Sequence, residues 1–457
     1  MVVRPRLRSR PLLEFFVGAE ILCQLALLTP ALAGLRLVWR TAPFALSLAL
    51  LALLPGRGRL HPAAKAALCI FVILALALLN PAGDTLTARI AQIAMYAAIL
   101  APLFWVSRLR IDRAVMRRVL LIVWGFNTLS AVMGVLQGYY PGRFQPNVSA
   151  VILAGGPFVE GLKYRNGAGA LVFRPMGLSD VPGGAAGAGL YAAVLGMALF
   201  VGERRLWKQA LFAASMLLGT AAIYLCLVRS TLVMLLLSML VFALVIALHN
   251  LKTMTARYRS ARRRARIRLA PLIAAIAAAS LIGFSTAVSI GGRSVVERFI
   301  TLAPGNARQT FHQSRGHFLE ETLQTLLPEF PLGAGLGRWG MMNYYFGDKS
   351  DPEEPLWAEI QWTAWLYDGG ILLILAYTAA IALALGVAYR IALDPAYGEV
   401  AVWGAMMVAY GVSVLALTFD YAFFQSQGGM DFWLLNAMLF TVVAKDRHPA
   451  PVAVPYR

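Results

Sequence analysis

Apolar residues along this chain run in blocks of about 20, parted by short polar or basic links, as bilayer-crossing helices require. The blocks predict spans at roughly 12–33, 41–55, 63–81, 88–107, 116–138, 185–202, 209–228, 230–248, 269–290, 357–389, 398–418 and 427–444. The expected fold class is all-α: a polytopic membrane protein of about 12 transmembrane helices. Two long links interrupt the pattern, at 139–184 and 291–356. They divide the chain into N-terminal transmembrane helices (1–138), a first loop (139–184), central helices (185–290), a large loop (291–356) expected to hold short amphipathic helices, and C-terminal helices (357–457).

Composition agrees, because 59% hydrophobic and 14% charged residues make the chain too apolar for a soluble protein of 457 residues. A net charge of +19 raises nucleic acid as a partner, but the positives gather in alternate links. These are RPRLRSR at 4–10, SRLRIDRAVMRR at 107–118, ERRLWK at 203–208 and KTMTARYRSARRRARIR at 252–268. That is a topogenic pattern. It places both termini in the cytoplasm, puts both long loops outside, and removes the case for nucleic acid. The basic, apolar N-terminus reads as an uncleaved signal anchor. Cys23, Cys69 and Cys226 all lie inside spans, so neither a disulfide framework nor a metal cluster is expected, and no cofactor.

The long loops hold the chemistry. Gly335 to Gly340 fits the G-x-G-x-x-G spacing of a dinucleotide turn, yet Pro328 and Pro331 precede it instead of a strand. With no βαβ pattern in the chain, Gly333, Gly335 and Gly337 predict a tight turn that lets backbone approach backbone or a ligand. FHQSRGHFLEETLQTLLP (311–328) predicts an amphipathic helix ended by Pro328, suited to the membrane interface. On it His312, Arg315 and Gly316 share one face, either a site or a solvated polar face. Arg229, in YLCLVRSTLVML, has apolar spans on both sides. A charge at span centre costs about 2.5–3.5 kcal/mol, so Arg229 is a site residue or, at the outer junction of two spans, a helix-end anchor. FRPMGLSDVPGG (173–184) predicts a fixed turn with Arg174 and Asp180 as its charged members. WAEIQWTAWLYDGG (357–370) predicts the start of a long apolar helix. There Glu359 suits the first turn and its dipole, whereas Asp368 lies deeper and calls for a partner such as an outer-loop arginine.

In this order and on one side, these segments resemble the O-antigen ligase and O-antigen polymerase superfamily of bacterial surface-polysaccharide assembly. FRPMG matches its Arg-Pro/Ala-x-Gly turn through Arg174 and Gly177, and VRST its Ser-Arg-Ser-like element through Arg229. SRGHF and FPLGAGLGRWG match its periplasmic-loop helix and glycine turn, which bring in Arg315, Arg338 and the turn glycines. The last motif departs: its histidine position carries Glu359, while Asp368 and Gly370 keep the acid and the glycine in kind. In ligases that histidine resembles the catalytic base.

The resemblance implies a metal-independent glycosyltransferase in the bacterial inner membrane. Its donor would be a glycan on undecaprenyl pyrophosphate, its acceptor a glycan or lipid, and its neighbours a flippase and a chain-length regulator. Arg174, Arg229, Arg315, Arg338 and Asp368 would bind substrate, with the arginines holding the pyrophosphate that leaves. Glu359 is the positional candidate for the base, and His312 and His317 are its substitutes. A polysaccharide polymerase is the leading expectation and an O-antigen ligase the second. A transporter or flippase of polyprenyl-linked glycan is the rival; it should show internal repeats or broken midplane helices with ionisable residues, whereas here the charges gather at one face.

Overall fold

The computed structural model describes residues 9–56, 58–148, 153, 157–255, 269–303, 305–350 and 355–446; of the basic links, 4–8 and 256–268 lie outside these. The described chain is almost wholly helical. Its long helices are α1 (Ser9–Leu27), α2 (Arg36–Leu53), α3 (Ala63–Ala77), α4 (Leu86–Leu100) and α5 (Arg113–Tyr139). A two-stranded antiparallel hairpin, β1 (Lys163–Arg165) and β2 (Leu171–Phe173), precedes α6 (Gly184–Gly202), α7 (Leu206–Cys226), α8 (Arg229–Thr255) and α9 (Leu269–Gly291). After the second long loop, with its short helices α10 (Arg293–Ile300) and α11 (Gly340–Phe346), come α12 (Gln361–Ala392), α13 (Glu399–Leu417) and α14 (Gln427–Asp446).

Among the described residues, 9 helices are long and apolar enough to cross a membrane. The helices α1, α3 and α14, the other three expected spans, fall below that measure of length and composition, so the helices bear out an all-α polytopic membrane protein and not the exact number of 12. The chain is membrane-embedded and has two distinct ends: a loop face carrying 139–184 and 291–356, and a link face of short connections. At the link face Arg117 bridges Glu203 (3.0 Å) and Glu399 (3.8 Å), while Arg118 meets Glu14 (3.0 Å), which ties the ends of α5, α6, α13 and α1.

Without a hydrophobic force between helices in lipid, close backbone approach through small residues does the packing. The α6–α7 pair shows this: a Cβ on Gly189 would lie 2.4 Å from the Gly219 carbonyl oxygen, and one on Gly196 would lie 2.7 Å from Ser215 Oγ. Next to α12, Trp365, Tyr377, Phe424 and Trp433 form a buried aromatic cluster with centroids 4.7–6.1 Å apart.

The expected long helix at 357–389 departs in two ways. It starts at Gln361, so Glu359 lies before its first turn. It also breaks at Gly369 (φ −163°, ψ 18°) and Gly370 (φ 65°, ψ −159°). The glycine turn fills the break. Ile371 N–H donates to the Pro331 carbonyl (3.0 Å) and Gly335 N–H to the Tyr367 carbonyl (3.2 Å), so backbone groups freed by the break find partners. Gly333, Gly335 and Gly337 all have positive φ (107°, 110° and 82°), and a Cβ on Gly335 would lie 2.6 Å from Gly83 N. Asp368, fully buried, accepts from Tyr96 Oη (2.7 Å), Gln92 Nε2 (2.9 Å) and Trp339 Nε1 (2.9 Å). The expected arginine partner is therefore replaced by three neutral donors, which lock turn, break and α4 together.

Two glycine substitutions separate backbone conformation from close approach. A Cβ on Gly370 would lie 2.2 Å from the Pro331 carbonyl oxygen, whereas one on Gly340 (φ 64°) meets open space. Gly340→Ala should cost about 1–2 kcal/mol from the left-handed backbone alone. Gly370→Ala should add roughly 1–3 kcal/mol of overpacking. Thermal unfolding of the detergent-purified protein checks the order; equal midpoints would refute the account of the break.

Candidate functional site

The turn after β2 is held by one side chain from α5. Gln137 Oε1 accepts from Met176 N and Gly177 N, both at 2.7 Å, and its Nε2 donates to the Gly177 carbonyl at 2.9 Å. Gly177 has φ 63°, and a Cβ there would lie 2.6 Å from Ser130 Oγ. Only glycine suits both demands. This fixed turn carries Arg174, whose backbone N–H donates to the Leu162 carbonyl at 3.0 Å and whose Nε is buried with no hydrogen-bond partner. Asp180 faces elsewhere, paired with Arg36 and with Arg40 (2.7 Å) on α2.

Helices α7 and α8 meet at a two-residue joint. Leu227 adopts φ 56°, the one positive value outside glycine among the described residues. That conformation costs a non-glycine residue about 1–2 kcal/mol, and it places Arg229 as the first residue of α8. There its charge adds to the positive end of the helix dipole. Arg229 donates to Thr301 Oγ1 (3.1 Å), and Arg298, from α10, donates through Nε to the Leu227 carbonyl (3.2 Å).

Arg315 arrives from a third direction. The predicted amphipathic helix at 311–328 is longer, running from Ala307 to Glu329, with π-helical turns at His312–Gly316 and Thr322–Leu326. Such turns shift the facing of later residues and recur at functional sites. Arg315 lies within the first. It pairs with Glu359 and, through Nε, with Asp420 Oδ1 at 3.3 Å. Both carboxylates are positioned by contacts between the start of α12 and the segment after α13. Gln361 N–H donates to the Thr418 carbonyl (2.9 Å), Gln361 Oε1 accepts from Phe424 N (2.7 Å), and Trp362 Nε1 donates to Thr418 Oγ1 (3.0 Å).

Arg174, Arg229, Arg298 and Arg315 line one cavity of about 510 Å³ at the loop face, and among the described residues Asp420 is its one lining acid. Its other walls are largely apolar, including Val233, Met234, Leu302, Phe311, Leu417 and Phe419. Arg174 and Arg298 also line an adjoining cavity of about 330 Å³ with Lys163 and Glu297. Among the described residues, Arg174, Arg229 and Arg298 form no ion pair. Burial, then repulsion from Arg229 and Arg174, pushes the Arg298 guanidinium down to about 10. Burial, with Arg229 adding, also lowers that of Arg174. Mutually repelling guanidinium groups in a partly dry cavity are arranged for an anion.

The other sequence candidates lie apart from this cavity. Arg338 stays on the glycine turn, where it donates to the Ala334 carbonyl (3.4 Å). His312 is exposed and contacts Glu320 (3.1 Å); His317 is exposed and contacts the His312 carbonyl (3.2 Å). Glu359 does not line the cavity but sits behind Arg315, with its second oxygen accepting from Trp357 Nε1 (3.1 Å). Sequence reasoning passed over Arg298 and Asp420. The first looked like one more basic loop residue. The second follows the apolar end of a span in LTFDYAFF, and an acid at a helix C-terminus, against the dipole, was the available signal. No known protein family and no curated protein matches this chain.

Arg298 tests whether the cluster awaits an anion. Arg298→Gln relieves repulsion while keeping a donor of similar reach, so its unfolding midpoint should be no lower than wild type. Its response to inorganic pyrophosphate should weaken by about 10–100-fold, the worth of one charge-assisted bond. Ligand-dependent thermal unfolding measures both, and an undiminished pyrophosphate response would exclude Arg298 from anion binding.

Proposed function

We propose that this chain is a lipid-linked-oligosaccharide-dependent glycosyltransferase of the O-antigen ligase/polymerase type, acting most simply as a polysaccharide polymerase. The observation that carries the reading is the four-arginine cavity with largely apolar walls at the loop face. One end suits a diphosphate and the other a polyprenyl chain, the two parts of an undecaprenyl-pyrophosphate glycan donor. The loop face is then the periplasmic side of a bacterial inner membrane, with both termini cytoplasmic.

In the proposed reaction the acceptor hydroxyl oxygen attacks the anomeric carbon. The bond from that carbon to the pyrophosphate oxygen breaks, and the electron pair leaves with the lipid pyrophosphate. Arg174, Arg229 and Arg298 hold the growing negative charge, which fixed donors stabilise better than mobile water does. The hydroxyl proton needs an acceptor on the cavity wall, and Asp420 is the lining carboxylate. Glu359 is then a positioning residue that orients Arg315.

The break in α12 beside a buried acid is a feature the transporter reading would use. The glycine turn occupies that break and three donors occupy Asp368, so no free binding site is left there.

With purified protein and a polyprenyl-pyrophosphate-linked repeat unit, Asp420→Asn should bind donor normally and lower turnover by about 10²–10⁴-fold. Glu359→Gln should mainly weaken donor binding. If Glu359→Gln abolishes turnover while Asp420→Asn keeps it, the two roles exchange. Arg229→Lys keeps the charge but loses the planar fork, and a drop of about tenfold or more is expected. Wild-type rates in Arg229→Ala would end the donor-site reading.

Orientation is tested by cysteine labelling in a cysteine-free background. An impermeant maleimide should label Lys349→Cys from the periplasm and spare Arg204→Cys until the inner membrane is opened. Both side chains are exposed, at opposite faces. The reverse pattern would place the arginine cavity in the cytoplasm.

A further inference from the structure

A second polar cavity, of about 300 Å³, opens between α1, α5, α6 and α14, on the far side of the 173–184 turn from the arginines. Its chemistry is the opposite. Glu20 from α1 and Asp431 from α14 face each other there, close enough for one carboxyl to hydrogen-bond the other. Among the described residues, no lysine, arginine or histidine lines the cavity. Glu20 is 3% exposed, and its Oε1 is buried without a hydrogen-bond partner. The remaining polar wall is neutral oxygen and amide: Gln24, Asn127, Ser130 and Gln427 among them.

Two carboxyls in contact inside an apolar bundle cannot both stay ionised without a counter-charge. The usual remedy, an arginine or lysine, is missing from the lining. Among the described residues there is also no group of three metal-ligating side chains that could hold a metal ion. A paired carboxyl with an unused buried oxygen, facing a space ringed by neutral oxygens, matches a small monovalent cation: hard, oxygen-seeking and singly charged.

We propose that Glu20 and Asp431 form a monovalent-cation site, taking sodium or a proton, with the amide and hydroxyl oxygens of the cavity wall completing the shell around sodium. The titratable groups facing the pair are Cys23 on α1, Tyr191 on α6 and Tyr410 on α13, the last two in mutual hydroxyl contact. None of these supplies a positive charge. The site also has a route to the arginine cavity. Gln24 Nε2 donates to the Leu178 carbonyl (3.3 Å), and Ser130 Oγ accepts from Leu178 N (2.9 Å). These two wall residues therefore hold the turn whose other end presents Arg174. The inference does not depend on which reaction the arginine cavity serves.

Thermal unfolding of the full chain in detergent tests it, with sodium chloride replaced by choline chloride at equal ionic strength, and with pH varied from about 6 to about 8. A sodium site predicts a midpoint that rises with sodium in wild type and is flat in Glu20→Gln and Asp431→Asn. A proton site predicts a wild-type midpoint that falls as pH rises, without regard to sodium, and a flattened response in both variants. Equal sodium and pH responses in wild type and variants overturn the proposal. Should the variants fail to fold, radioactive sodium binding to the wild-type protein needs none. Saturable binding supports the site; no binding together with a pH-independent midpoint overturns it.

Discussion

Repulsion among guanidinium groups is the constraint around which the loop face is organised. Arg174, Arg229 and Arg298 share a half-buried cavity, and among the described residues none of them forms an ion pair, an arrangement the folded chain must hold against both desolvation and like charge. Each arginine is fixed by backbone and not by ion pairing. Gln137 locks the turn before α6, Leu227 accepts a left-handed conformation to start α8 at Arg229, and the Leu227 carbonyl anchors Arg298. Strain and repulsion concentrated at one place are characteristic of sites, where local stability is given up for pre-organisation.

The glycine turn resolves the choice its sequence left open, between approach to backbone and approach to a ligand. Its spacing announces a close approach, which the positive φ values require, but the approaching partner is protein backbone. Pro331 and Leu332 enter the break at Gly369–Gly370, and Asp368 collects three donors around the same point. The turn thus makes an interrupted span tolerable in an apolar medium, because carbonyls and N–H groups freed by the break are bonded again. Its link to the arginine cavity is indirect: the same α12 begins two residues after Glu359 and is fastened to Thr418, next to Asp420.

Much of this was legible in the chain. Blocks of apolar residues gave the long helices to within about seven residues at their ends, since hydrocarbon thickness limits their length. Arg229 stood out because charge beside apolar sequence is costly, Arg174 because it belongs to a glycine- and proline-fixed turn, and Arg315 through its helix face. Three things were not legible. The π-helical turn at His312–Gly316 changes which residues share a face, so Arg315 reaches the cavity while His312 and His317 are exposed. The break in α12 needs the tertiary partner that fills it. Arg298 and Asp420 join the cavity only through long-range folding, and no local period marks them.

The placement of the two carboxylates gives the cavity a direction. Arg174, Arg229 and Arg298 gather where β2, α8 and α10 meet, whereas Arg315, Asp420 and Glu359 gather where the 307–329 run meets α12 and α13. One side gathers three guanidinium groups without an ion pair among the described residues; the other pairs a cation with acids. A symmetric anion such as free phosphate has no use for such polarity. A transfer reaction does, because negative charge grows on the leaving side while a proton must depart on the attacking side. In the proposed reaction the apolar wall, from Val233 to Phe419, would let a lipid tail remain in the membrane while its headgroup reacts.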